Sequence, residues 1–125
     1  MLVNDYINTT PHAIVVMDEN GKQRCEIPVS GTPVRLIKND AVIKLEPLPL
    51  GRGIPVVKQQ PFTTIDDPDQ LLSTGKYHIV SMVVADFLKA EGYEGPLYVP
   101  DTGPESVVRD KKGVILGVKR FLCYE

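Results

Sequence analysis

The sequence predicts an α+β domain: a mostly antiparallel β-sheet with one main α-helix, at about 82–91, packed against it. Three observations carry that prediction. Short runs rich in β-branched residues recur along the chain, bounded by Gly, Pro, Asn and Asp. A single convincing stretch, Met82 to Glu91, places apolar residues at helical spacing. A chain of 125 residues, 42% hydrophobic and 24% charged, is large enough for one ordinary core spanning 1–125.

Taken in order, Ala13-Ile14-Val15-Val16-Met17 reads as a strand and Asp18-Glu19-Asn20-Gly21 as a hairpin turn, since Asn and Gly tolerate positive φ. Lys22 to Val29 reads as the return strand, with Arg24, Glu26 and Pro28 out of phase with Cys25, Ile27 and Val29. After the turn Ser30-Gly31-Thr32-Pro33, Val34 to Lys38 completes an antiparallel meander. Residues 41–45 and 54–58 look like further strands, split by a Pro- and Gly-rich segment. Pro61 to Thr74 is polar and turn-rich; its Asp66, Asp67 and Asp69 lack the Gly and distal Glu of a calcium loop, so a solvated loop is expected rather than a metal site.

Tyr77 to Val80 reads as a strand leading into the helix, with Ser81 as N-cap and Gly92 as its stop. Val83, Val84, Phe87 and Leu88 form the expected buried stripe. The two prolines of Val99 to Pro104 argue against helix or central strand there. Lys111-Lys112-Gly113 reads as a hairpin turn and Val114 to Val118 as the returning strand.

A net charge of −2 argues against a DNA or RNA partner held by a large basic face. The chain shows neither a signal-type start nor an apolar run of about 18 residues, which predicts a cytosolic protein without a membrane partner. Cys25 and Cys123 lack metal-ligand spacing and read as buried free thiols. No cofactor motif is present: there is no Walker loop, GxGxxG or HExxH.

The densest chemistry lies in Tyr98 to Phe121. Thr102, Ser106, Arg109 and Lys119 fall close enough there to grip a phosphate or a sugar. The N-terminus of the helix at Ser81 adds N–H groups and a partial positive charge. Phe87 and Tyr98 offer aromatic faces, and Arg120 a further cation. Asp101-Thr102-Gly103 matches the short signature of retroviral-type aspartic proteases, but Pro100 and Pro104 flank it where that family has aliphatic and small residues. His12 and His78 have no nucleophile arranged for them and are expected to be half-buried and hydrogen-bonded. Nothing in these residues demands an enzyme.

Several segments resemble a family of small phage and prophage proteins. They are Asn8-Thr9-Thr10-Pro11-His12, Pro28 to Thr32, Gly53-Ile54-Pro55-Val56-Val57, Ile79-Val80-Ser81, the Val99 to Pro104 loop, Val108-Arg109-Asp110, Gly113 with Ile115, and Gly117-Val118. Their order along nearly the whole chain is similar to that of the first-type Thoeris anti-defence proteins. The resemblance implies a non-enzymatic sponge in the cytoplasm of the infected bacterial host. It would bind cyclic ADP-ribose isomers made by TIR-domain immune enzymes without degrading them, and some members also take up cyclic oligonucleotides. It further implies a homodimer, or a hexamer built from dimers. Arg109 is the residue the resemblance assigns, as partner of the diphosphate. By chemistry, Lys119 or Arg120 would assist it, Asp110, Thr102 and Ser106 would bond ribose, and Phe87 or Tyr98 would stack on adenine. Two alternatives follow from the same residues: a phage structural or interaction protein, and a small hydrolase working through Asp101.

Overall fold

The computed structural model describes residues 5–38 and 61–125. Strands expected at 41–45 and 54–58 lie outside the described residues. Among the described residues the order is β1 (Tyr6–Asn8), β2 (Ile14–Met17), β3 (Gln23–Ile27), β4 (Arg35–Lys38), β5 (Phe62–Asp66), a 3-10 turn (Leu71–Ser73), β6 (Tyr77–Ile79), α1 (Met82–Ala90), β7 (Leu97–Pro100), β8 (Val107–Arg109), β9 (Ile115–Val118) and β10 (Phe121–Tyr124). The α+β class stands. The strands form mixed sheets in the orders β1-β6-β7-β10 and β3-β2-β9-β8, and an antiparallel pair β4-β5.

The first sheet is the middle of the molecule. Side chains alternate across a strand, so Leu97, Val99, Leu122 and Tyr124 face one way and Tyr98 and Phe121 the other. The first face packs on α1 through Val84, Ala85 and Leu88, with Leu36 and Ile65 of the β4–β5 pair closing the same cluster. On the second face Ile79, Tyr6, Tyr98 and Phe121 meet Ile14, Val16, Ile27 and Val118 of the other sheet.

Four expectations are corrected. The meander ends after β3: β4 pairs with β5, Leu36 opposite Ile65, within the segment read as a turn-rich loop. The cause is the Asn8-Thr9 pair, which draws the chain over the β1 edge. Ser30 N–H donates to the Asn8 carbonyl (2.9 Å) and Val34 N–H to the Thr9 carbonyl (3.0 Å). Second, β1 with β6, β6 with β7, and β2 with β9 are parallel. Helix α1 is the crossover between β6 and β7, and such a crossover is what parallel neighbours require. Third, β7 extends to Pro100 in the interior of its sheet, tolerated because Pro100 is its last residue. Fourth, the helix buries Val84, Ala85 and Leu88, whereas Val83 is exposed and Phe87 half-buried: the stripe is turned from Val83 toward Ala85.

Several other local readings hold, but His12, expected to be half-buried, is exposed. The turn at 18–21 closes with Gly21 at φ +78 and its N–H on the Asp18 carbonyl (3.0 Å). Ser81 Oγ accepts from Val84 N–H (3.3 Å), capping α1. His78 is buried, and its Nε2 lies 3.0 Å from the Leu71 carbonyl and 3.1 Å from Thr74 Oγ1. Because a carbonyl only accepts, Nε2 carries the proton. Asp67 takes the N–H groups of Leu71 and Leu72 (both 2.9 Å), and Asp69 that of Thr32, so two of the three neighbouring aspartates bind backbone. Both thiols are free, but Cys25 is half-buried and Cys123 exposed. Among the described residues, no helix is long and apolar enough to cross a membrane.

Candidate functional site

The strands β6 and β7 run parallel, with Ile79 beside Tyr98, so Ser81 and Pro100 leave the sheet at the same end. Phe121 pairs with Pro100, which brings Arg120 to that end as well. A corner forms there from the loop 101–106 and the β9–β10 connection.

Ser106 is the pin of that corner. It is fully buried, and its Oγ accepts from Lys119 N–H (3.1 Å) and Arg120 N–H (3.2 Å). Asp101 is the second fastening: Oδ1 accepts from Gly103 N–H (2.9 Å) and Oδ2 from Arg120 Nε (2.6 Å). The Arg120 hydrogen bond, then that of Gly103, hold the Asp101 carboxyl below its ordinary range; the same pairing raises Arg120. An aspartic protease dyad needs a carboxyl that keeps a shared proton. In Asp101 both oxygens are already taken, Oδ1 by Gly103 N–H and Oδ2 by the Arg120 guanidinium, which speaks against the Asp-Thr-Gly reading.

Outside these fastenings the corner is open. Thr102 and Lys119 are exposed, and Arg120 is 56% exposed at its side chain. Thr102 borders a cleft of about 290 Å³ between β2, the end of β7 and β9, which His12, Pro100, Ile115, Leu116 and Val118 also line. Helix α1 starts at this end of the sheet, so its first turn, the end bearing partial positive charge, lies there, with Val84 N–H already taken by Ser81 Oγ.

Arg109 and Asp110 belong to the adjoining hairpin. Asp110 Oδ1 accepts from Lys112 N–H (2.8 Å) and Val114 N–H (3.0 Å), shaping the predicted turn in which Gly113 has φ +84. Arg109 Nη1 donates to the Gly113 carbonyl (2.7 Å), which steadies an otherwise exposed guanidinium. Phe87, half-buried on α1, and Tyr98 lie on opposite sides of the first sheet. Tyr98 sits edge-on to Tyr77 (5.7 Å between centroids), and Tyr77 lies 5.5 Å from Tyr6. Burial raises the Tyr98 and Tyr6 hydroxyls.

The structure thus gathers Thr102, Ser106, Lys119, Arg120 and, at the same sheet end, Ser81. It places Arg109 and Asp110 on the neighbouring hairpin, and does not bring Phe87 and Tyr98 to one face. Ser106 faces inward, and its hydroxyl is occupied by backbone. Sequence reasoning missed the pairing of Asp101 with Arg120 and the place of Glu105, whose Oε2 lies 3.4 Å from Arg120 Nη2. Asp101 and Arg120 are 19 residues apart, and only the β7–β10 register joins them. Comparison with protein-family models, curated proteins and solved structures finds no match to this chain.

Proposed function

We propose that this chain is a phage anti-defence protein that sequesters a cyclic ADP-ribose-type signalling nucleotide unmodified and so blocks activation of a Thoeris effector. It would act in the cytoplasm of the infected bacterial host, as a homodimer or hexamer, with cyclic oligonucleotides as a second cargo. The observation that carries the reading is the corner at the end of the first sheet. There Arg120, Lys119 and Thr102 stand exposed over a backbone that Ser106 and Asp101 have already fixed. Cations and hydroxyls on a rigid frame suit a diphosphate and ribose, because little ordering remains to be done on binding. The occupation of both Asp101 oxygens, by Arg120 and by Gly103 N–H, favours holding over hydrolysis.

Arg109 stands as a diphosphate partner on the adjoining hairpin, and Ser81 contributes the helix N-terminus. With Phe87 and Tyr98 on opposite sides of the sheet, one protomer offers one of them to a base. A pocket shared between protomers would admit the other. The exposed apolar run Val114-Ile115-Leu116 supports self-association. It equally suits the alternative, a subunit or interaction protein of a phage particle.

The test is a release assay. The purified protein is incubated with cyclic ADP-ribose isomers and cyclic dinucleotides, freed of unbound ligand and heat-denatured, and the released material is identified by mass spectrometry. Intact nucleotide is expected. Cleaved nucleotide would make the protein an enzyme, and no released nucleotide would move the particle reading to the front. Arg109→Ala is expected to weaken binding by about 1.5–3 kcal/mol, the loss of a charge-assisted hydrogen bond. Unchanged affinity by calorimetry, with the fold intact, would remove Arg109 from the site.

A further inference from the structure

Arg120 is held unequally by its two carboxylates. Asp101 binds Nε at 2.6 Å from a side chain only 9% exposed, and a second bond, from Gly103 N–H, fixes that carboxylate in turn. Glu105 reaches Nη2 at 3.4 Å from a side chain 82% exposed. That distance is beyond the usual 2.7–3.2 Å of a strong N–H···O bond. One carboxylate is therefore an anchor, and the other is a loose cover.

A guanidinium anchored at Nε still offers its terminal Nη1–Nη2 fork, the geometry that takes a phosphate through two parallel bonds. Glu105 lies on Nη2, one half of that fork. Building on the nucleotide-binding reading above, we propose that Glu105 is an internal stand-in for a phosphate: it covers the Arg120 fork in the free protein and is displaced when a ligand phosphate arrives. Asp101 is then a positioning residue, which keeps the fork aimed outward during the exchange. The device sets a threshold. An anion of single charge gains little over the carboxylate it replaces. A diphosphate carries a second anionic group, for which the exposed Lys119, next to Arg120 in the chain, offers a second contact. Glu105 thereby favours diphosphate-bearing ligands over simple anions.

The test uses inorganic pyrophosphate and ADP-ribose as probes, with wild type, Glu105→Gln, Arg120→Gln and the double variant compared by calorimetry at low salt. Arg120→Gln retains a donor for Asp101, and Glu105 is too exposed to matter for folding; melting curves check both. Glu105 competes with the ligand for one half of the fork through an exposed ion pair of modest strength, so Glu105→Gln should tighten pyrophosphate binding about two- to fivefold. In the Arg120→Gln background the same change should yield little. That non-additivity is the signature of exchange on one fork, which a mere change in net charge would not produce. An equal gain in both backgrounds, no gain in either, or no pyrophosphate binding by any variant would overturn the proposal. Non-additive gain with pyrophosphate, alongside no cyclic nucleotide in the release assay, would uphold the exchange and remove the sponge reading. Intact nucleotide release without non-additivity would do the reverse.

Discussion

Ser106 and Thr102 are both hydroxyl residues of one loop, yet they do opposite work. Ser106 is fully buried and accepts two backbone N–H groups, and among the described residues that of Arg120 has no other acceptor. Ser106→Ala leaves it unsatisfied, at a cost of about 1–3 kcal/mol by chemical denaturation. Binding should fall too, because the backbone under Lys119 and Arg120 loses its pin. Thr102 is exposed, so Thr102→Ala should stay within about 0.5 kcal/mol of wild-type stability while weakening nucleotide binding. The reverse pattern, with Thr102 the destabilising site, would invalidate these roles. Spacing in the sequence puts both hydroxyls near Arg109 and Lys119 but does not say which way each points. Direction depends on the β9–β10 connection passing behind Ser106, and that path is set by a register 13 to 14 residues away.

Elements were legible where the signal is local and hidden where it depends on pairing. The Ser81 cap, the stop at Gly92 and the turns at Gly21 and Gly113 each follow from one residue's conformational preference, and all are present. The parallel pairs were not legible, because a short strand reads alike whichever way its neighbour runs. Gly117 is a case of the second kind: sequence shows only a Gly in an apolar strand. In the fold, a Cβ there would lie 2.6 Å from the Val15 carbonyl oxygen and 3.0 Å from Met17 side-chain carbons. The close approach of β2 and β9 therefore depends on glycine. Gly117→Ala should cost about 1–3 kcal/mol, since the nearest atom is backbone and cannot swing aside. Denaturant unfolding measures it, and a neutral result would mean that the two strands can part without loss.

At the scale of the molecule, the ionisable groups agree on where stability is greatest. Burial, its largest influence, lowers His78 from its ordinary 6.5. The unfolded chain takes up that proton first, so the contribution is complete above 6.5 and is lost as pH falls from there through the folded value. Asp69, lowered by the Thr32 N–H, and Asp101, lowered by Arg120, add a second loss as pH falls below their ordinary 3.8. On the alkaline side Tyr6, Tyr93, Tyr98 and Tyr124 are all raised by burial above 10.0. Their contribution is complete below 10.0 and is lost as pH rises through the folded values. A melting temperature followed against pH should therefore be flat from about 7 to about 10 and decline on both sides, the acid limb in two stages. His78→Gln should remove the first acid stage and leave the second, because the amide keeps a donor for the Leu71 carbonyl but cannot take up the proton. If the first stage survives that substitution, another group is taking up the proton, and the burial of His78 is not what limits the fold in mild acid.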